Sequence, residues 1–237
     1  MTSSTMPMMA HLQEFRDRLV KSLIAVGIGT ALAFLFNEEL LAIITEPYKQ
    51  AVPDQPLAFF RVTEAFSTVM RVSIFGGVLL ASPVVLYQIW RFAAPAMSPK
   101  EKRWAYPITA VFVALFISGV LVGYVALGRG LAFLLDFGGD ALHPLISAEF
   151  YLKFATRFIL AFGIAFEFPV FLFAAAAVGA ITSEKLRTNR RWALMIILIS
   201  AAIITPSGDP MTLMLLSVPL YVLFELTILA IRFILRK

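Results

Sequence analysis

Cysteine is absent from the sequence, and histidine occurs only twice, at His11 and His143. The absence of cysteine excludes disulfides, thiolate metal sites and thiol catalysis. Two histidines leave little for a metal cluster. The chain contains neither Gly-Lys-Ser nor Gly-Lys-Thr, so it lacks the P-loop signature, and we find no serine–histidine–aspartate set. We therefore expect no catalytic site, no metal and no cofactor, and predict that the protein is not an enzyme.

Charged residues make up only 15% of the 237 residues, whereas hydrophobic residues make up 60%. A soluble domain carries about 25% charged residues. A helix needs about 20 residues to cross the hydrocarbon core of a bilayer. Because lipid offers no hydrogen-bond partners, the backbone of a spanning segment must pair within the segment, as it does in a helix. We therefore predict an all-α polytopic membrane protein, one domain over residues 1–237 with six transmembrane helices. The charge-poor runs cover about residues 19–36, 65–90, 104–127, 158–181, 192–206 and 210–231.

The basic residues indicate the orientation of these spans. Fourteen of the 20 lysines and arginines lie in the N-terminal segment, the second-to-third and fourth-to-fifth connections, and the C-terminal tail. Six spans place these segments on one side, which the positive-inside rule makes cytoplasmic. We predict a protein of the cytoplasmic (inner) membrane with both termini cytoplasmic. Because the net charge of +5 is concentrated at the ends of apolar runs, we do not expect nucleic-acid binding.

The connections on the opposite side are long, at about residues 37–64 and 128–157, and we expect them to form a structured outer cap. Within the second, Ser147 is a candidate helix N-cap, and Glu149 with Lys153 is a candidate i,i+4 pair. The fifth and sixth spans differ from the others. Their uninterrupted apolar parts are too short to cross an average bilayer comfortably, so we expect a short helical hairpin.

Glu167 is the single charged residue between positions 158 and 181. A charged side chain at mid-bilayer costs roughly 3 kcal/mol on insertion scales, so Glu167 is a candidate functional residue. Pro169 lacks an N–H and frees the carbonyl of Ala165, which predicts a kink beside the carboxylate. Two interpretations stay open: a polar point on a concave surface that meets a substrate or partner, or a protonated group hydrogen-bonded within the bundle. For Glu225, nearer the cytoplasmic end, a structural and a functional role are equally supported.

Two acidic residues, Glu14 and Glu101, stand inside otherwise basic cytoplasmic clusters. Each could pair with a neighbouring arginine or lysine, which is the usual role of a glutamate on a solvated face. Placed together at the membrane surface, they could instead bind guanidinium groups through paired hydrogen bonds. The charge pattern alone does not decide between these interpretations.

A series of short motifs runs along the chain. They are His11-Leu-x-Glu14-x-Arg16, Pro47, Ser82-Pro-Val-Val-Leu-Tyr-Gln-x-Trp90, Phe92-x-x-Pro95, Glu101-Lys-Arg103, Phe162-Gly-x-x-Phe-Glu-x-Pro169, Thr205-Pro206 with Asp209, and Pro219-Leu-Tyr-x-x-Phe-Glu225. In these motifs the chain resembles the TatC family, the polytopic subunit of the twin-arginine protein translocase, over essentially its whole length. One departure is Leu213, where the family commonly has glutamine.

The resemblance implies a concave, glove-like bundle that self-associates in a receptor complex. It implies binding of twin-arginine signal peptides and export of folded proteins, driven by the proton-motive force, with the single-span partners TatA and TatB. Glu101 is the expected main contact to the arginine pair, and Glu14 assists it. By the same resemblance, the signal-peptide site comprises Glu14, Arg16, Phe92, Glu101 and Arg103, the intramembrane polar and partner surface comprises Glu167, Pro169, Thr205, Asp209 and Glu225, and Pro47 belongs to the outer cap.

Two alternatives come from other functional classes. A small proton-coupled secondary transporter would use Glu167 as its proton carrier, but such folds usually show inverted repeats or paired broken helices, and the sequence shows no repeat. A purely structural scaffold for a membrane complex would leave the motif around Phe92 and Glu101 without a purpose.

Overall fold

The computed structural model describes residues 8–53, 55–93, 105–136, 145–177, 179–204 and 209–235. Within these ranges the chain is almost entirely helical and has no β-strand, only an isolated bridge between Ala58 and Ser147. The prediction of an all-α polytopic membrane protein is confirmed.

The described residues form nine α-helices and one π-helical turn. We refer to the end of the bundle that carries α2 as the cap end, and to the opposite end, where α1 begins, as the N-terminal end. The elements are α1 (Met8–Leu35), α2 (Asn37–Ala51), α3 (Glu64–Ala93), α4 (Ala105–Asp136), α5 (Ala148–Ala165), α6 (Phe168–Ala177), α7 (Ser183–Thr188), α8 (Arg190–Ile204), α9 (Pro210–Ala230) and the π-helical turn (Ile231–Leu235).

Of the two helices predicted to form a short hairpin, α8 is short and α9 is not. α8 has 15 residues and extends about 22 Å, less than the ~30 Å of a hydrocarbon core. α9 has 21 residues and continues past Glu225, so the prediction of a short sixth helix is wrong. Among the described residues, the helical segments that are long and apolar enough to cross a membrane are Met9–Leu35, Glu64–Phe92, Thr109–Asp136, Ala148–Ala177 and Pro210–Leu235.

The cap end contains more helix than the sequence predicted. α2 fills most of the first long connection. The second connection is shorter than predicted at both ends, because α4 continues to Asp136 and α5 begins at Ala148. The predicted spans end at residue 127 and begin at residue 158, close to Arg129 and Arg157, which lie inside α4 and α5. A charge limits how deeply a helix sits in hydrocarbon, but it does not interrupt the helical hydrogen bonds. Much of the described part of the cap is therefore helical.

α1 and α3 are packed with their backbones in contact. A Cβ added to Gly29 would lie 2.6 Å from the carbonyl oxygen of Gly77, and one added to Gly77 would lie 2.5 Å from the amide nitrogen of Thr30. Such distances exclude any side chain at either glycine. Glycines at a helix crossing permit this close approach in membrane bundles. The two helices therefore form one tightly joined pair.

α5 lies at the centre of the core. Phe158 and Phe162 are fully buried, and their ring centroids are 4.7 Å apart. On α4, a Cβ added to Gly119 or Gly123 would come within 2.8 Å of the side chains of Phe166 and Phe162, respectively. The glycines therefore allow α4 to lie directly against the aromatic face of α5.

Candidate functional site

A polar cavity of about 400 Å³ lies at the N-terminal end of the bundle, between α1 and α3. Small-molecule sites in proteins span about 300–1,000 Å³, so the cavity can take a side chain or a short piece of peptide. On α1 the lining residues recur every three or four positions, which places them on one face. The cavity is lined by Ala10, Gln13, Glu14, Asp17, Arg18, Lys21, Gln88 and Arg91.

Glu14, one of the predicted site residues, is held in this cavity by Arg18. The Arg18 Nε donates to Glu14 Oε1 at 3.0 Å, and Nη2 donates to the same oxygen. The third nitrogen, Nη1, donates to Oε1 of Gln88 on α3 at 3.3 Å. The other carboxylate oxygen, Glu14 Oε2, is buried and has no hydrogen-bond partner in the described part of the chain. The carboxylate is therefore paired through one oxygen only.

Phe92 brings the end of α3 against the first turns of α1. Its ring stacks on His11 at a centroid distance of 4.5 Å, and the edge of Phe15 meets it at 5.5 Å. Phe92 and Glu14 are therefore carried by the same pair of helix ends. Arg16 differs, because its exposed side chain pairs with Asp17 at 2.9 Å and does not line the cavity.

Glu101 and Arg103, the other two predicted signal-peptide residues, belong to residues 94–104, which lie outside the described part of the chain. The segment follows directly after α3, whose last turn carries Phe92. Their predicted roles stay predictions.

Glu167 lies at a break in the fourth span. Phe166 and Glu167 form a turn between α5 and α6, and the amide of Val170 donates to the Glu167 carbonyl at 3.0 Å. The kink predicted from Pro169 is confirmed. The Glu167 side chain is only 4% exposed, and neither carboxylate oxygen has a hydrogen-bond partner among the described residues. The interpretation that Glu167 is hydrogen-bonded within the bundle therefore finds no donor there.

Glu225 and Asp209, in contrast, have close partners. Glu225 accepts from Arg190 Nη2 at 2.6 Å and from the Tyr221 hydroxyl at 3.1 Å, so it joins α9 to the start of α8. Asp209 is the N-cap of α9 and accepts from the amide of Thr212 at 2.8 Å. Both carboxylates thus have a local structural use. The fifth predicted residue of this surface, Thr205, lies outside the described residues.

Pro47 is buried inside α2 and explains how the cap helix is attached. Because proline has no N–H, the carbonyl of Ile43 loses its helical donor. The Tyr124 hydroxyl on α4 donates to this carbonyl at 2.9 Å. The Tyr151 hydroxyl on α5 donates to the next carbonyl, that of Ile44, at 2.7 Å. Two tyrosines from two helices therefore hold α2 by its backbone.

A second attachment at the cap end is built around Glu64, the first residue of α3, which is 2% exposed. Its Oε2 accepts from the amides of Phe60 and Arg61 at 2.8 and 3.2 Å. Its Oε1 accepts from the Ser147 hydroxyl and from the Glu149 amide, the latter at 3.0 Å. One carboxylate thus joins the loop before α3 to the first turn of α5.

Glu149 extends this attachment with ion pairs. Its carboxylate lies 2.5 Å from Arg61 Nη2 and 3.7 Å from Arg71 Nη2. The predicted pair between Glu149 and Lys153 is therefore wrong, because long-range arginines from the neighbouring loop and helix take the carboxylate. The predicted N-cap is confirmed, since the Ser147 hydroxyl accepts from the amide of Phe150.

Comparison with known proteins identifies the family. The model of the family described as "Sec-independent protein translocase protein (TatC)" matches residues 10–219. The chain belongs to the TatC family. TatC of Desulforapulum autotrophicum is 39% identical over 95% of this chain and 84% of its own length. TatC of Aquifex aeolicus is 38% identical over 94% and 93%, and TatC of Carboxydothermus hydrogenoformans is 35% identical over 99% and 96%.

Solved TatC structures share the fold. A crystal structure of the twin-arginine translocase receptor TatC in DDM superposes with a TM-score of 0.82 at 37% identity, covering 93% of this chain and 99% of that one. A second TatC crystal structure gives 0.79 at 36% identity, with 92% and 96% coverage. The predicted count of six helices, with α8 as the short fifth, agrees with the TatC fold. Membership of the family favours protein translocation over the transporter and scaffold alternatives.

Sequence reasoning missed three residues that organise these sites: Arg18, Gln88 and Glu64. The i,i+4 spacing of Glu14 and Arg18 was a usable signal, because such pairs face each other on a helix. Gln88 gave no signal, because its contact with Arg18 depends on how α3 crosses α1. Glu64 gave none either, because its donors come from a loop and from the first turn of a helix more than 80 positions away.

Proposed function

We propose that this chain is the receptor subunit of a twin-arginine translocase. It binds twin-arginine signal peptides and, with TatA- and TatB-type partners, exports folded proteins by using the proton-motive force. The observation that carries the proposal, within a TatC-family chain, is the polar cavity that contains Glu14, at the end of the bundle where Phe92 packs on His11 of α1. We assign this end to the cytoplasm from the distribution of lysine and arginine. The chain then lies in the inner membrane with both termini cytoplasmic.

The chemistry of the cavity suits a guanidinium ligand. A carboxylate accepts two parallel charge-assisted bonds from arginine, each contributing about 1.5–3 kcal/mol. Glu101 is the main reader in this proposal, assisted by Glu14, while Arg103 and Arg16 belong to the same cytoplasmic surface. Lysine retains the positive charge but not the planar fork, so a twin-lysine peptide is a poor substitute.

The membrane-embedded part of the function is assigned to Glu167. Its buried carboxylate is without a partner in the described residues, and an unpaired buried charge is costly. A polar group on a TatA- or TatB-type helix would relieve that cost. Docking of such helices near α8 and α9, and assembly of several copies of this chain, complete the proposed receptor complex.

Peptide binding tests the proposal directly. The purified full-length chain in nanodiscs is titrated with a fluorescent signal peptide carrying Arg-Arg and with the same peptide carrying Lys-Lys. We expect the Lys-Lys peptide to bind at least about tenfold more weakly, which corresponds to 1.4 kcal/mol. Glu101→Ala should lose most of the Arg-Arg affinity, whereas Glu39→Ala, an exposed acidic residue at the cap end, should retain it. Equal affinity for the two peptides would refute the arginine-reading role.

The role of Glu167 is tested separately by photo-crosslinking of TatA- and TatB-type helices in membranes. Glu167→Gln keeps a polar acceptor and should retain part of the crosslinking and export. Glu167→Lys reverses the charge and should abolish both. If Glu167→Lys leaves crosslinking and export intact, the carboxylate does not face a partner.

A further inference from the structure

The contact between Arg18 and Glu14 has a chemistry that the proposed ligand would repeat. A signal-peptide arginine would offer Glu14 a guanidinium, and Arg18 already places one there through Nε and Nη2. Both side chains are largely withdrawn from solvent, at 17% exposure for Arg18 and 22% for Glu14. The pair lines the polar cavity. An incoming arginine would therefore meet a carboxylate that is already occupied.

We propose that Arg18 is an internal occupant of the Glu14 carboxylate, which a guanidinium of the signal peptide must replace. The inference rests on the proposed function and adds a regulatory contact to the same site. The other carboxylate oxygen, Glu14 Oε2, is buried. An incoming arginine therefore cannot bind there and reaches the carboxylate only by replacing Arg18.

The contacts of Arg18 also provide for its displacement. Nη1 is held by Gln88 Oε1 at 3.3 Å, on a different helix from Glu14. When Glu14 is taken by a ligand, Gln88 Oε1 still accepts a hydrogen bond from the guanidinium. Asp17, whose carboxylate pairs with Arg16, lines the same cavity and adds negative charge near the guanidinium of Arg18. Displacement therefore does not leave an uncompensated buried cation, which would be expensive.

Exchange of one guanidinium for another has a defined consequence for affinity. The bond that the peptide gains at Glu14 nearly equals the bond that Arg18 loses, so Glu14 adds little net affinity while Arg18 is present. When the peptide leaves, Arg18 returns and neutralises the carboxylate. The receptor can thus recognise arginine and still release it.

The alternative is that the pair is an ordinary i,i+4 helix contact, in which Arg18 only positions Glu14. The two cases predict opposite signs for removal of Arg18. If Arg18 competes with the ligand, its removal tightens binding. If Arg18 positions Glu14, its removal weakens binding.

The experiment measures binding of the Arg-Arg and Lys-Lys peptides by fluorescence anisotropy to the full-length chain in nanodiscs. Arg18→Gln should tighten the Arg-Arg peptide about tenfold, the equivalent of 1.4 kcal/mol, and the Lys-Lys peptide by less, because lysine cannot form the fork. Arg18→Lys, which retains the charge and is the milder change to the helix, should give a smaller gain in the same direction. In a Glu14→Gln background the gain from Arg18→Gln should disappear.

The matched control is Lys21→Gln, which removes one positive charge from the same cavity. It should alter the two peptides equally, since it acts only through the general field. A weaker Arg-Arg affinity for Arg18→Gln, no change in either Arg18 variant, or a gain that equals the control for both peptides would each overturn the proposal. Failure of the wild-type chain to distinguish the two peptides would instead refute the proposed function on which the inference rests.

Discussion

Glu64 and Glu167 are almost equally inaccessible, at 2% and 4% exposure, yet their surroundings are opposite. Glu64, at the cap end, accepts four hydrogen bonds from a loop and from the start of α5. Glu167, in the broken fourth span, accepts none through its side chain in the described part of the chain. Burial alone therefore does not tell a structural carboxylate from a functional one. The donors around it do, because an unsatisfied buried charge is tolerated only where something is gained from it.

The largest effect is expected for Glu64→Ala. The change leaves two amides of the loop, the Ser147 hydroxyl and the Glu149 amide without their acceptor; the Ser147 bond is buried and the other three are partly buried. We expect a larger fall in melting temperature, measured by thermal denaturation in detergent, than for any of the variants that follow. Glu39→Ala, an exposed acidic residue on α2, is the control. If Glu64→Ala melts at the same temperature as Glu39→Ala, the hydrogen bonds of Glu64 do not contribute to stability. The contrast between Glu64 and Glu167 would then be lost.

The tyrosines that hold α2 should have the next largest effect. Tyr124→Phe removes the donor to the carbonyl that Pro47 leaves free, and Tyr151→Phe removes the donor to Ile44. Each should cost about 1–2 kcal/mol of unfolding free energy. Pro47→Ala restores an amide that can bond the Ile43 carbonyl, so it should reduce the cost of Tyr124→Phe.

Tyr151→Phe is the matched control in this cycle, because its carbonyl partner is not the one that proline frees. Its cost should be the same with proline or alanine at position 47. Additive effects of Pro47→Ala and Tyr124→Phe would show that the hydroxyl does not replace the missing helical donor.

Glu225 is an intermediate case between Glu64 and Glu167. It is paired with Arg190 and Tyr221, but the ion pair is partly exposed, at 43% for Arg190 and 29% for Glu225. Exposed ion pairs contribute about 0–1 kcal/mol, so Glu225→Gln should lower the unfolding free energy by less than about 1 kcal/mol. Arg190→Gln should match it. A loss comparable to that of Glu64→Ala would show that the pair is effectively buried.

The smallest effect on stability is expected for Glu167→Gln. No hydrogen bond of the described residues is lost, and a neutral amide is cheaper to bury than a charge. The melting temperature should stay unchanged or rise slightly, while export and crosslinking to partner helices fall. A clear destabilisation would place Glu167 with Glu64 among the structural carboxylates and remove the distinction between them.

The sequence predicted the helical class and the break beside Glu167 because both depend on local chemistry. Charge-poor runs must be helical in lipid, and Pro169 must leave a carbonyl unpaired. It failed at two helix limits, because the predicted spans stop at residue 127 and start at residue 158, whereas Arg129 and Arg157 lie inside α4 and α5.

The candidate site was only partly predictable for a related reason. Glu14 and Phe92 were recognised from their motifs, but their position at the same end of the bundle depends on how α1 crosses α3. The pairing of Arg18 with Glu14 and with Gln88 combines one local contact with one across 70 positions. Similarly, Glu149 was assigned to its helical neighbour Lys153, whereas arginines brought by the fold take it. Local spacing identifies the participants, and the fold decides who pairs with whom.

The backbone contact of Gly29 with Gly77 limits how α1 and α3 can move at the N-terminal end of the bundle. Two helices in contact without intervening side chains have nothing compressible between them, so the pair can tilt in the membrane but cannot open like a hinge at the crossing. A force applied at the N-terminal end of the bundle is then transmitted along α1 and α3 together. α3 begins at Glu64. The opposite end of the helix pair is therefore held by the carboxylate that anchors the cap.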